Sequence, residues 1–162
     1  SGIQRVIQFN LYIQNCTFFH EANNKNSRAI GIHFNEDDML LIYANITIKN
    51  CKFSYYSAPI GPALWVTSRD FYSFQFDHIL VRTVESIFLN NIATEWGGSV
   101  VFGNNIQSEL SNNTFKIITN LIEEKDILST NRRELFITTL SSVKIINCSF
   151  VCSIPGPLNS KL

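Results

Sequence analysis

Leu11-Tyr12-Ile13-Gln14-Asn15-Cys16-Thr17-Phe18 returns as Ile46-Thr47-Ile48-Lys49-Asn50-Cys51-Lys52-Phe53 and again as Val143-Lys144-Ile145-Ile146-Asn147-Cys148-Ser149-Phe150. Two looser copies, Glu85-Ser86-Ile87-Phe88 and Asn112-Asn113-Thr114-Phe115, fit the same frame. The five phenylalanines are spaced 35, 35, 27 and 35 residues apart. A fixed period of this length marks an architecture of stacked units, none of which can bury its apolar face alone. Ahead of four of the copies the chain alternates, at Leu11 and Ile13, Ile46 and Ile48, Val81 and Thr83, and Val143 and Ile145. Period two is the mark of a half-buried strand. The alternation slips by one after the asparagine, because cysteine and phenylalanine form the next inward pair. A bend at the asparagine produces that slip, since asparagine tolerates the left-handed conformation and its amide bonds local backbone.

Two further sets of short strands are expected in each repeat. One comprises 29–34, 63–67 and 99–102, with 126–129 as a poorer fourth member. The other comprises 39–43, 71–76 and 135–140. Polar, glycine or proline stretches at 23–28, 35–38, 57–62 and 103–108 separate them. No segment sustains a 3.6-residue apolar period; 121–128 is the best helical candidate, and it is short. Three short strands per repeat predict an all-β parallel β-helix of about five coils over residues 1–162, a single segment of a longer chain. Like residues then pile into ladders: Phe18, Phe53, Phe88, Phe115 and Phe150, and beside them a small row of Cys16, Cys51, Ser86, Asn113 and Cys148. The 27-residue interval is a coil with a shorter loop. An antiparallel sandwich is the rival all-β reading, and it does not explain the constant spacing.

The stretch Ile87-Phe88-Leu89-Asn90-Asn91-Ile92-Ala93-Thr94-Glu95-Trp96-Gly97-Gly98-Ser99-Val100-Val101 resembles the repeat of the chlamydial polymorphic outer-membrane proteins. Phe88, Asn91, Ala93, Gly97 and Gly98 carry the resemblance. Phe18 with Ala22 and Ala29-Ile30-Gly31-Ile32 keeps its outline, Phe53 with Ala58 and Gly61-Pro62-Ala63-Leu64 keeps one glycine, and Phe115 and Phe150 keep the first half. The resemblance implies a right-handed parallel β-helix in a secreted or surface-displayed protein, often adhesive or structural. It brings no catalytic residues with it.

Composition agrees with a β-rich domain. The 162 residues include 21 isoleucines and 18 asparagines, a bias that favours strands and polar turns and suits an AT-rich genome such as a protist's. Lysine plus arginine number 13 and aspartate plus glutamate 13, so the chain offers no net positive field to capture nucleic acid or anionic lipid. Hydrophobic residues make up 45%, which argues against disorder. No run of 18 apolar residues occurs, so no membrane span is expected. Residues 1–8 lack a signal-peptide pattern.

Four cysteines, Cys16, Cys51, Cys148 and Cys152, allow three complete pairings. Cys16 and Cys51 occupy the same position in adjacent coils, within disulfide reach, and Cys148 and Cys152 are four apart around a bend. Buried free thiols are the alternative. Sequons at Asn15, Asn45, Asn112 and Asn147 are glycosylation candidates and favour a secretory route. Asn45, placed just ahead of its strand, is the safest acceptor. Glu85 at the place of Asn15, Asn112 and Asn147 suggests that this position faces water.

Catalysis in a β-helix needs clustered carboxylates on one face, often with Ca²⁺. Glu36-Asp37-Asp38, Glu123, Glu124 and Asp126 with Arg132 and Arg133, Arg69-Asp70 and Glu95 read instead as charged turns, because none recurs at the repeat period. His20, His33 and His78 are scattered and no CxxC pair exists, so no metal or other cofactor is expected. Trp65, Trp96, Tyr55 and Tyr56 are candidates for an aromatic sugar platform, with Trp96 the better exposed contact and Trp65 inside an apolar strand. The expected role is a non-catalytic structural or adhesive module of an extracellular or cell-surface protein. Its expected partners are other structural or surface proteins, itself end to end, or a glycan. The alternative is a polysaccharide-binding or polysaccharide-cleaving β-helix protein.

Overall fold

The computed structural model describes residues 5–20, 26–34, 40–68, 78–95, 98–118, 133–137 and 141–153. The first pass of the chain lays down β1 (Arg5–Gln14), β2 (Thr17–Phe19) and β3 (Ile30–His33). The second adds β4 (Leu40–Lys49), β5 (Lys52–Ser54), β6 (Ser57–Ala58) and β7 (Leu64–Thr67). The third adds β8 (His78–Val84), β9 (Ile87–Leu89), β10 (Ile92–Ala93) and β11 (Gly98–Gly103). The fourth adds β12 (Ile106–Ser111), β13 (Thr114–Ile118) and β14 (Arg133–Ile137), and a fifth begins with β15 (Ser142–Ile146) and β16 (Ser149–Ser153). No helix occurs among the described residues.

Each strand pairs with its own equivalent in the next pass. The sheets run β1-β4-β8-β12-β15, β2-β5-β9-β13-β16 and β3-β7-β11-β14, with β6 and β10 as a small fourth. Every pairing is parallel. The register joins Leu11 to Ile46, Ile46 to Val81, Val81 to Ser108 and Ser108 to Val143, which reproduces the sequence intervals. The chain is thus all-β with stacked parallel sheets.

Two expectations about strands change. Of the stretch 39–43, the described residues 40–43 form no separate short strand; they run on into the segment before Asn50 as the ten-residue β4. Its alternation is unbroken, with Ile42, Ala44, Ile46 and Ile48 buried and Tyr43 and Asn45 exposed, so nothing stops the strand. Of the stretch 135–140, the described residues 135–137 belong to β14, which starts earlier, at Arg133, and joins β11, so they belong with 30–33 and 64–67 rather than with 39–43. Stretches 71–76, 121–128 and 126–129 lie outside the described residues. The short third interval arises at one corner. Asn104 and Asn105, with φ of 30° and 57°, join β11 to β12 where 68–77 join β7 to β8.

Residues from all three large sheets share one core, including Ile46, Val81 and Leu110, Phe53 and Phe88, and Leu64 and Phe102. Phe18, Phe53, Phe88, Phe115 and Phe150 form one column through it. Successive ring centroids are 4.8, 5.1, 4.7 and 4.9 Å apart and the rings are within 7° of parallel. The register imposes this geometry, because in-register strands carry identical side chains at the strand spacing. Cover decides what each ring contributes. Phe88 is 0% exposed between two neighbours, whereas Phe150 is 48% exposed. Phe88→Ala is expected to cost about 3–5 kcal/mol, and Phe150→Ala about half of that or less. Urea unfolding of the two variants measures the difference; equal losses would contradict the column's energetics.

Candidate functional site

The corner between β1 and β2, and its equivalents, brings together most of the residues singled out in the sequence. Asn15, Asn50, Glu85, Asn112 and Asn147 all hold left-handed backbone, with φ between 49° and 56°. Each is exposed. The turn reverses which face the next residue occupies, so Cys16, Cys51, Ser86, Asn113 and Cys148 form a row on the inner side.

The corner creates a local hydrogen-bonding problem. On either side of it backbone pairs with backbone: Asn50 N–H donates to Val84 C=O at 2.9 Å, and Ile87 N–H to Cys51 C=O at 2.8 Å. The amide of the row residue itself points along the stack. The side chain one pass later accepts it. Cys51 N–H donates to Ser86 Oγ at 3.1 Å and Ser86 N–H to Asn113 Oδ1 at 2.9 Å. The row also donates to carbonyls two residues back, from Cys16 to Gln14 at 3.2 Å, Cys51 to Lys49 at 3.3 Å, Ser86 to Val84 at 3.0 Å and Cys148 to Ile146 at 3.5 Å. Asn113 Nδ2 instead reaches Thr83 C=O at 2.8 Å and Thr83 Oγ1 at 2.9 Å. Cysteine, serine and asparagine are interchangeable here because each both accepts and donates. A second turn repeats the device: Tyr56 N–H donates to Asn91 Oδ1 at 3.1 Å, and Asn91 Nδ2 to Phe53 C=O at 3.0 Å.

Cys16, Cys51 and Cys148 are free thiols. Burial pushes the Cys51 thiol above its ordinary value; the Cys16 amide opposes that shift and the Cys16 thiol adds to it. The expected bridge from Cys148 to Cys152 fails on geometry. The bend lies at Asn147, ahead of both, and β16 is continuous from Ser149 to Ser153. Four residues of extended chain place the two backbones about 13 Å apart, beyond disulfide reach.

The sequon residues Asn15, Asn45, Asn112 and Asn147 all face solvent. Asn45 does not precede its strand; it lies within β4, on the outward face, and its Nδ2 donates to Asn10 Oδ1 at 3.3 Å. Asn15 receives a bond from Asn50 Nδ2 at 2.7 Å through Oδ1, so its nitrogen, the atom that carries a glycan, is outside that bond. The outward face of the same sheet also holds Tyr12, Thr47, Arg82, Glu109 and Lys144 in one line, with Arg82 Nε 3.9 Å from Glu109. Tyr43 and His78 stack there at 4.8 Å.

The aromatic candidates separate. Trp65 is half-buried, with the Arg28 guanidinium 4.3 Å over its ring and His33 stacked at 6.0 Å. Arg28 Nη2 donates to Ile60 C=O at 2.6 Å and Nε to Gly61 C=O at 3.2 Å, so this pair fastens the first pass to the turn of the second. Burial lowers the Arg28 guanidinium's proton affinity. That turn needs its glycine: Gly61 has φ +51°, and a Cβ there would meet Trp65 Cβ at 2.9 Å. Sequence reasoning missed Arg28, since one arginine in a polar stretch carries no periodic signal. Tyr55 packs edge-on to Phe19 at 5.7 Å, and Tyr56 stacks on His20 at 5.5 Å. The two tyrosines therefore meet partners from the preceding pass and form no common platform with Trp65. Trp96, Glu36, Asp37, Asp38, Arg69, Asp70, Glu123, Glu124, Asp126 and Arg132 lie outside the described residues. Glu95 is exposed. Among the described residues no three His, Cys, Asp or Glu side chains converge as a metal site, and no helix is long and apolar enough to cross a membrane.

No family model, characterised protein or solved structure matches the chain in comparison.

Two substitutions test the corner. Glu85→Asn places the residue type best suited to left-handed backbone and gives up only an exposed 3.8 Å pair with Lys49. It is expected to stabilise the fold by about 0.5–1 kcal/mol. Asn113→Ala strands the Ser86 amide and the Thr83 carbonyl in the core and is expected to cost about 2–4 kcal/mol. Thermal unfolding of both variants checks the opposite signs.

Proposed function

We propose that the stacked sheets are coils of a parallel β-helix, and that this helix is a non-catalytic structural or adhesive module of an extracellular or cell-surface protein. It acts as a stiff scaffold whose outward columns present side chains to another protein. The observation that carries the reading is the unbroken register of five parallel strands in two sheets, closed around one core. Such an arrangement resists bending, because every rung is hydrogen-bonded along the stack direction. It also separates the inward positions, which the stack constrains, from the outward ones, which remain available for recognition. The solvent-facing sequons support a secretory route, since a glycan at any of them projects away from the core. The resemblance of 87–101 to the polymorphic outer-membrane protein repeat supports a surface location and an adhesive role.

The test is the intact mass of the protein from its natural source, before and after enzymatic removal of N-glycans. A mass excess that disappears on deglycosylation, mapped to Asn15, Asn45, Asn112 or Asn147, is the expected result. A bare polypeptide mass overturns the cell-surface glycoprotein reading.

A further inference from the structure

We propose that Cys16 and Cys51 are a redox pair that closes into a disulfide between the first and second passes when the protein meets a disulfide oxidant. Three observations carry the inference. Thr17 pairs in register with Lys52, so the residues just before them, Cys16 and Cys51, are stacked one above the other. Neighbouring strands lie about 4.8 Å apart, inside the backbone separation that a disulfide spans. The two side chains also occupy adjacent places in one row of the core. Finally, the environments differ: Cys16 is half-buried, whereas Cys51 is 2% exposed.

That difference assigns the order of events. With oxidised glutathione as oxidant, the Cys16 thiolate attacks one glutathione sulfur, the glutathione S–S bond breaks, and one glutathione thiolate leaves. The Cys51 thiol then loses its proton and attacks the Cys16 sulfur of the mixed disulfide, releasing the second glutathione. Two electrons pass from the protein to glutathione, and the two thiol protons end on the two released glutathiones. Burial keeps Cys51 in its thiol form, so the second step is the slower one. Cys148 supplies the contrast within the same row. It stacks on Asn113, whose amide offers no sulfur. The inference rests on the observed register and is independent of where the protein resides.

The experiment uses the full chain, reduced, then incubated with oxidised glutathione, blocked with N-ethylmaleimide, digested and read by mass spectrometry. The expected result is one linked peptide pair joining Cys16 to Cys51, two hydrogens lighter than its parts, with Cys148 open to alkylation. The oxidised protein is expected to melt about 5–10 °C higher than the reduced form, since the bond closes a long loop. Cys51→Ser puts at this place the hydroxyl that Ser86 carries one pass later, where it accepts the Cys51 amide. It therefore folds like the reduced protein, and its Cys16 stops at the glutathione adduct. Full alkylation of both cysteines after oxidation, or linkage of either to Cys148 or Cys152 in their place, overturns the proposal.

Discussion

In-register parallel pairing makes each residue's neighbour its own equivalent one pass away, and the rest of the structure follows from that constraint. Antiparallel sheets let unlike residues face each other across a rung. Here a phenylalanine meets a phenylalanine and an asparagine meets an asparagine. Apolar inward positions gain from this, because flat rings at the strand spacing fall into near-parallel stacks. Charged outward positions lose from it, because like charges would lie directly opposite. The outward line Arg82, Glu109, Lys144 alternates in sign, and Arg82 pairs with Glu109 where same-sign residues would repel.

The same constraint explains why the interior is not wholly apolar. A corner in left-handed conformation turns one amide per pass along the stack, and a buried amide without a partner is costly. The partner must come from the next pass and must both accept and donate. Ser86 and Asn113 meet this demand with a hydroxyl and an amide, each of which accepts the amide of the pass before and donates to a carbonyl. The row is therefore polar in function although three of its five residues are cysteines, which count as hydrophobic by composition. Its cysteines stand where the corner calls for a side chain of this kind, and the proximity of Cys16 and Cys51 follows from the stacking of their corners.

Much of the architecture was legible in the sequence because a period survives loop variation. The intervals of 35 and 27 and the slip after Asn15 together located the corner, the phenylalanine column and the inner row. Residues 39–43 were misread as separate because Ala44 and Asn45 look like a break, yet an inward alanine between Ile42 and Ile46 keeps the alternation intact. The stretch 135–140 was misplaced because a run of leucine, phenylalanine and isoleucine does not say which sheet it joins. Arg28 was invisible for another reason. Its role depends on Ile60, Gly61 and Trp65, more than thirty residues away and off the repeat's register.

Where a stack of this kind carries recognition follows from the division between its faces. An inward substitution disturbs two neighbouring passes at once, through ring stacking or through a stranded amide, so inward positions tolerate little variety. An outward substitution at Tyr12, Asn45 or Lys144 leaves the core untouched and reaches a neighbour on the same face, such as Gln14 beside Tyr12 or Asn10 beside Asn45. Recognition is therefore cheapest to build on the outward columns and on the loops that leave the sheets, and its reach is set by the rung spacing along the column. A partner that reads several rungs must itself be extended along the stack, such as a strand-like segment or a flat protein surface. A compact ligand would meet only two or three of these side chains.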